Sequence, residues 1–435
     1  MALGRANGGG LAGEPGFRWM PLCGDGIRGH VTEPVLLTRV VLKNYKSIAS
    51  CSVRLCPLMF LVGPNGSGKS NFLDALRLVS EALNSSLDHA LRERGGINEV
   101  RRRSAGHPTH FGIRLEFILP DSSAGHYAFR VGAKPKGGFE VQREECRIYA
   151  REALQEDTFY IVNSGAVAGS NPAPLPPAAD DRLFLVAASS RPEFRLLYDC
   201  LTRMGFYNLN PDEIRDLQPA DAGEVLLRDG RNLASVLNLI AAESPPAKAR
   251  VVALLAKVVP GVVDVAPRHI GNKETLEFRQ KVGENEAPWR FLAENMSDGT
   301  LRALGVLTAL FQSSAGGRRK KAPLVGIEEP EVALHPGAAG ILRDGLSAAA
   351  RHTQVLVTSH SPDLLDDKSI SDRNILAVSN NNGETMIGPL DAAGRDAIRD
   401  RLFTAGELLR LSQLSPDENA VKGTPESQLE LFGTG

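Results

Sequence analysis

Apolar positions along this chain follow different rhythms, and each predicts a different kind of element. Met59, Phe60, Leu61 and Val62 run without interruption and predict a strand; after a glycine-rich loop, Phe72, Leu73, Leu76 and Val79 return at three- and four-residue spacing, the mark of one helix face. Before them, from Val35, "VLLTRVVLKNYKSIASCSVRL" gives two β-rich stretches around a polar turn. Beyond the helix, "FGIRLEFIL", "HYAFRVGA", "FEVQREECRIYA" and "TFYIV" alternate and predict an antiparallel sheet, followed by a loop over "SGAVAGSNPAPLPPAADD". From about Pro192 to Val259 the pattern is helical, including "EVLLRDGRNLASVLNLI" and "AKARVVALLAKVV", with Pro260 and Gly261 as a stop. Two short strands near Val262 and Leu276 close this middle section.

From Met296 onward helix, strand, helix, strand and helix alternate, as in a mostly parallel sheet with helices packed on it. After the last strand-like segment, "AAGRDAIRDRLFTAGELLRL" reads as a helix, and from Ser415 the chain is polar and frayed. Residues 1–34 are rich in Gly and Pro without a period and read as a disordered extension. No sustained heptad repeat appears, which argues against a long coiled-coil arm.

Composition narrows the class without naming a function. At 435 residues the chain can hold two or three structural units. A formal charge of -1 leaves no whole-molecule basic field, so any nucleic-acid surface must be local. Five scattered cysteines without a C-x-x-C pair argue against a disulfide framework and a zinc knuckle. No apolar run reaches the roughly 20 residues a membrane span needs, so no membrane association is expected. The reading is a soluble, cytoplasmic protein.

The chemistry is concentrated at strand ends. Gly63, Pro64, Asn65, Gly66, Ser67, Gly68, Lys69 and Ser70 fit G-x-x-x-x-G-K-[ST] between predicted strand and predicted helix. Glycines let the main chain curl around an anion, and the helix N-terminus adds free donors and partial positive charge. Lys69 would reach the β- and γ-phosphates and the Ser70 hydroxyl would ligate Mg2+. A second apolar run, Leu324, Val325 and Ile327, ends in Glu328 and Glu329; because the chain turns there, one acid can reach the Mg2+ shell and the other a water. "TQVLVTSHSPDLL" repeats the design, with a strand ending in Ser359 and His360, where a histidine can sense a γ-phosphate. In "ENMSDGTLRALGVLTAL", Ser297, Gly299 and Thr300 precede an apolar-periodic helix, another anion-ready start or a plain N-cap.

Phosphate loop, long insertion, Ser-x-Gly helix start, acidic strand end, "LHP" and a strand ending in His stand in the order of one family. Over about residues 35–390 the chain resembles the ABC-type P-loop ATPase heads of the RecF, OLD and SMC branch, in a stand-alone form without a Toprim domain. The resemblance implies an α/β fold: an ABC-ATPase head with a P-loop parallel sheet core, an antiparallel β lobe and a helical insertion. It divides the chain into the extension 1–34, an N-terminal head part 35–120, the β lobe and insertion 121–290, a C-terminal head part 291–412 and a flexible tail 413–435.

On that resemblance Gly63 to Ser70 correspond to Walker A, with Asn71 beside them in the nucleotide-binding set. Met296 to Thr300, with Ser297, Asp298 and Gly299, correspond to the signature loop. Glu328 takes the Walker B place beside Ser70 at the metal, Glu329 that of the catalytic base, Glu331 to His335 the D-loop region, and His360 the switch histidine. The sequence departs from the family twice: Glu328 stands where Asp is usual, and "MSDGT" where L-S-G-G-Q is usual. The family implies ATP and Mg2+, hydrolysis of ATP to ADP and phosphate, and a head-to-head homodimer in which the signature loop of one copy completes the site of the other.

RecF- and SMC-like heads act on DNA, which implies a role in DNA repair or anti-phage defence, with any nuclease or other effector supplied by a separate protein. The alternative is an ATP-dependent switch or sensor that scaffolds a partner without acting on DNA; a P-loop kinase would leave "MSDGT" and the Glu-Glu strand end unexplained. Arg92, Arg94 and Arg101 to Arg103, with Arg318 to Lys321, are the local basic clusters, either solvated loops or phosphate-backbone contacts. In the tail, Gln428, Leu429, Leu431 and Phe432 resemble the Q-L-x-L-F peptide that binds the bacterial sliding clamp, the other reading being a tail that docks on its own protein.

Overall fold

The computed structural model describes residues 36–104, 106, 108–150, 156–283, 287–312, 322–422 and 431–432. The expected extension at 1–34, the cluster from Arg318 to Lys321, and Gln428 and Leu429 lie outside the described residues.

A six-stranded sheet carries the uninterrupted apolar runs. It is ordered β17 (Glu384–Gly388), β16 (Ile375–Asn381), β3 (Leu58–Val62), β15 (Gln354–Ser359), β14 (Leu324–Glu328) and β9 (Gly205–Tyr207), with every neighbouring pair parallel except β16 with β17. Strands covered on both faces need apolar residues at every position, and each face here feeds a separate core. Met59 and Leu61 of β3 join one cluster, while Phe60 and Val62 join the other. Leu356 of β15 and Leu324 of β14 side with the first, and Val355, Val357, Val325 and Ile327 with the second.

The first core is closed by α1 (Lys69–Asn84) and by a seven-stranded antiparallel sheet: β2 (Ile48–Arg54), β1 (Leu37–Tyr45), β4 (His110–Ile118), β5 (Ala124–Ala133), β6 (Phe139–Ile148), β7 (Thr158–Asn163) and β8 (Ala166–Asn171). Phe72, Leu73, Leu76 and Val79 of α1 are buried in it, as their spacing predicts. The second core is closed by α2 (Leu233–Glu243), α3 (Pro245–Val258), α4 (Asp298–Phe311) and α5 (Ala339–Ala349), together with a four-stranded sheet of β10 (Gln218–Pro219), β11 (Val262–Ile270), β12 (Lys273–Gln280) and β13 (Trp289–Leu292).

Several expectations need correction. The segment expected as a loop after β7 contains β8, an edge strand none of whose residues is buried and which so carries no apolar alternation. Within the helical zone, β9 is three residues long, too short to show a period, yet it completes the parallel sheet beside β14. "EVLLRDGRN" is not helical: the Asn232 side chain accepts from Leu227 N–H at 2.9 Å and donates to the Val225 carbonyl at 3.0 Å, fixing a loop in which Gly230 takes φ 85. The expected helix from Ala392 is two, Ala392–Arg399 and Ala405–Arg410, because Thr404 and Glu407 form a capping box that starts the second. The section from Ser415 is not wholly frayed, since Glu418–Lys422 is helical and Leu431 is buried.

Two buried carboxylates fasten these layers. Asp74 on α1 meets Tyr45 Oη at 2.8 Å, Lys46 Nζ at 2.6 Å and Arg94 Nη2 at 2.9 Å, which pins the helix to the β1–β2 turn. Burial alone would raise its pKa, but Arg94 and Lys46 hold the carboxyl well below the usual range. Arg94 is thereby a buried structural residue rather than part of a solvated basic loop. Glu144 on β6 accepts from Tyr127 Oη at 3.1 Å, Tyr160 Oη at 2.8 Å and Leu185 N–H at 2.8 Å, tying the sheet to the helical turn Leu185–Ala188.

Burial pushes the Glu144 carboxyl up to about 7 in spite of those donors. Because its folded pKa lies above the ordinary 4.5, its contribution is fully present below that value and is lost as pH rises toward 7. The loss is at most about 3 kcal/mol. Thermal melting followed from pH 5 to 7.5 is expected to show a midpoint that falls with rising pH in the wild type and falls less steeply in Glu144→Gln.

Candidate nucleotide site at the ends of three parallel strands

Backbone pairing assembles the site. In the parallel ladder Val62 is the partner of Ser359, and Thr358 is the partner of Glu328, so β3, β15 and β14 stop nearly in step at one sheet edge. Their next residues are the glycine-rich loop, His360 and Glu329, the three predicted pieces. Sheet geometry places such carboxyl ends about 5 Å apart from strand to strand.

The loop curls through Gly66 at φ 75 and Gly68 at φ 105, backbone that a side chain would strain. At Gly68 a Cβ would also stand 2.1 Å from Thr385 Oγ1 on β17. Pro64, Asn65, Gly66 and Ser70 are exposed at the crest, and Ser67 and Lys69 are buried. Lys69 Nζ donates to the Gly63 carbonyl at 2.8 Å and the Pro64 carbonyl at 3.0 Å, strapping the two ends of the loop together. Burial pushes its pKa down, against the pull of Glu329 and Glu331. Asn71 Nδ2 donates to Ser47 Oγ at 2.7 Å, which holds the helix start against the β1–β2 turn.

The acidic end of β14 is tightly built. Glu329 sits at φ 44, a left-handed conformation that costs a non-glycine residue on the order of 1 kcal/mol or more. It is held there by its N–H, which donates to the Thr358 carbonyl at 3.0 Å. His360 Nδ1 lies 3.3 Å from Glu329 Oε1 but outside hydrogen-bond geometry. Glu331, which sequence reasoning placed only in a loop region, is half-buried, and its Oε1 accepts from Ser359 Oγ at 2.6 Å and His360 N–H at 3.3 Å. Burial raises its pKa, and those donors oppose the rise.

Two arginines face these acids, and neither was foreseen. Arg302 on α4 reaches the Glu328 carbonyl at 3.5 Å; burial lowers its pKa while Glu331, Glu329 and Glu328 raise it. Its spacing on an apolar helix gave no sign of it except as a lone charge in "TLRALGVL". Arg228 Nη2 donates to Glu328 Oε1 at 2.9 Å. Arg228 arrives because its own carbonyl accepts from Asn208 N–H at 3.0 Å, just beyond β9, so the missed strand is also what delivers the missed side chain.

The signature-like residues stand apart in their bonding. Ser297 caps α4, accepting from Thr300 N–H at 3.3 Å, and Asp298 pairs with Arg215. Gly299 packs so closely that a Cβ would lie 2.3 Å from the Ala333 carbonyl oxygen. None of these contacts reaches the loop Gly63 to Ser70. Among the basic clusters, Arg102 pairs with Glu384 at 2.9 Å, Arg103 with Glu99, and Arg92 with Asp88 at 2.8 Å.

Chemistry is indicated by what is left unpaired. Among the described residues ten buried side-chain polar atoms lack a hydrogen-bond partner, and four of them gather here: Ser67 Oγ, Arg302 Nε, Glu331 Oε2 and His360 Nδ1. Each unsatisfied buried polar group costs about 1–3 kcal/mol. Donors and acceptors left open side by side at a glycine-rich helix start fit a phosphate chain with its counter-cation.

This fold is that of the SMC-type P-loop ATPase heads. The model of the family described as AAA domain, putative AbiEii toxin, Type IV TA system matches residues 58–164 and 209–366, and the chain belongs to that family. Among curated proteins, a 74-residue stretch is 36% identical to the lipoprotein-releasing system ATP-binding protein LolD of Zymomonas mobilis subsp. mobilis, covering 17% of this chain and 32% of that protein. A 44-residue stretch is 41% identical to the DNA replication and repair protein RecF of Vibrio vulnificus, covering 10% of this chain and 12% of that protein. The matches therefore span a third or less of those curated relatives.

Two solved structures share the fold across most of the chain. A crystal structure of an SMC head bound to the C-winged helix domain of ScpA aligns with a TM-score of 0.54 at 14% identity, covering 82% of this chain and 99% of that one. An SMC head with an extended coiled coil bound to the C-terminal domain of ScpA from Pyrococcus furiosus aligns at 0.50 and 12% identity, covering 85% and 99%. No helix among the described residues is long and apolar enough to cross a membrane.

For a cation bound at Glu328, Arg228 is a competitor for the same carboxylate oxygen. Arg228→Ala is expected to lower the Mg2+ concentration that half-saturates binding of a fluorescent ATP analogue by about two- to fivefold, the worth of a half-exposed ion pair. An unchanged Mg2+ titration would show that the pair and the cation do not compete.

Proposed function

We propose that this chain binds and hydrolyses ATP at the loop Gly63 to Ser70, and that it works as an ATP-dependent dimer on DNA, in repair or anti-phage defence, with a separate effector. The observation that carries the reading is the convergence of unpaired Ser67, Arg302, Glu331 and His360 atoms on the loop that Lys69 straps.

In this reading the loop amides and Lys69 hold the phosphate chain, with Asn65 and Asn71 at its flanks. Lys69 must exchange its two carbonyl acceptors for phosphate oxygens, a move favoured because a charge-assisted bond to an anion is stronger than one to a neutral carbonyl. Ser70 and Glu328 would hold Mg2+, which supplies positive charge against the phosphate oxygens. Glu329, aimed by its left-handed backbone and by its main-chain bond to Thr358, orients the attacking water in line with the terminal phosphoryl group. His360, beside it, donates to the charge that develops there. Ser297, Asp298 and Gly299, which bond within their own neighbourhood, are left for the nucleotide of a second copy, so that hydrolysis removes the group that joins two heads.

Direct tests follow the division of labour between holding and attack. Lys69→Ala is expected to lose ATP binding, measured by equilibrium titration. Glu329→Gln is expected to keep binding, to lose about 10²- to 10³-fold in turnover, and to accumulate dimers in ATP by sedimentation. A Glu329→Gln protein that turns over at the wild-type rate would remove the assignment.

A further inference from the structure

The outer face of the seven-stranded sheet carries a row of residues that the nucleotide site does not use. Strand register sets Lys43 of β1 against Gly112 of β4, Gly112 against Arg130 of β5, and Arg130 against Arg143 of β6. Their neighbours Phe111 and Ile113 are buried in the core, so by the two-residue period of a strand this rung faces outward. It consists of three cationic side chains interrupted by one position without a side chain.

Leu431 fills the interruption. It is only 7% exposed, and a Cβ on Gly112 would stand 2.3 Å from its Cδ1. Arg114, one step along β4 on the same face, donates from Nη1 to the Leu431 carbonyl at 3.3 Å. The ring of Phe432 lies 4.4 Å from the guanidinium carbon of Arg143 and 5.9 Å from that of Arg130. Arg143 Nη2 donates to Glu145 Oε2 at 2.8 Å, while Arg130 Nε and Arg143 Nε are buried without a hydrogen-bond acceptor, and the negative face of the ring adds its attraction to both guanidinium groups.

We propose that this rung is a recognition site for a Leu-Phe peptide and that the chain's own tail occupies it. Each part of the site selects a chemistry: the glycine gap takes a branched aliphatic side chain, the paired guanidinium groups take an aromatic ring, and Arg114 fixes the direction of the main chain between them. The arrangement also sets a rule for the tail. Leu431 and Phe432 are the two apolar anchors of its clamp-like sequence, and side chains seated in the sheet are not available to another protein. Undocking must come before any use of this tail as a ligand.

Chymotrypsin cleavage of the full chain after Leu431 or Phe432, followed by intact mass, reports the population of the undocked tail. Gly112→Val, which fills the gap, is expected to raise the cleavage rate about tenfold, and Arg130→Ala with Arg143→Ala about threefold. The arginine pair is half-buried on the outer face of the sheet and leaves the glycine untouched, so it guards against misfolding at that position; its melting temperature is measured beside its cleavage rate. In the full chain carrying Leu431→Ala and Phe432→Ala, a labelled peptide of residues 424–435 should bind, and adding Gly112→Val should abolish that binding. Wild-type cleavage in the arginine variant, or peptide binding indifferent to Gly112→Val, overturns the proposal.

Discussion

The candidate site depends on one constraint, the hydrogen-bond register that makes β3, β15 and β14 end in step. Ser359 opposite Val62 and Glu328 opposite Thr358 bring three separate stretches of sequence to one edge. A slip of one residue would turn every side chain of a strand to its other face. The two-sided burial of β3, with Met59 and Leu61 in one core and Phe60 and Val62 in the other, makes such a slip costly on both sides at once. Core packing therefore fixes the geometry of the functional edge.

What lies beyond that edge is a balance of charge under partial burial. Three glutamates, two arginines, a lysine and a histidine share a small region, and burial opposes the charged state of Lys69, Arg302 and Glu331 alike. Bringing such groups together is justified physically when each can trade its partner. Lys69 holds carbonyls, Glu328 holds Arg228, and Glu331 holds a hydroxyl and an amide, all replaceable contacts. Glu329 is the exception: strained backbone and a main-chain bond to Thr358 keep it in place while its neighbours exchange.

Legibility in the sequence followed the range of the interaction. The phosphate loop, α1 and the strand ends Glu328 and Ser359 announce themselves because strand, turn and helix lie within a few residues of one another. The antiparallel strands β4 to β7 were legible because one face meets the core and alternates. What escaped was long-range or short in extent: β8 lies exposed at an edge, β9 has three residues, and Arg228 reaches Glu328 across a hundred positions. The capping box at Thr404 and Glu407 was written in the sequence as T-x-x-E, and the apolar spacing on both sides masked it.

The tail shows why motif and structure must be weighed together. Two apolar anchors in a polar stretch signal a ligand, and sequence alone leaves its host open. Gly112 closes the question for this conformation: a glycine in the middle of a buried central strand weakens the strand, and at this position the absent side chain is what Leu431 replaces. A host site paired with a segment of the same chain needs little intrinsic affinity, since tethering raises the effective concentration to about the millimolar range. Weak docking is then enough to keep Leu431 and Phe432 covered, and weak docking is also what a stronger partner can displace.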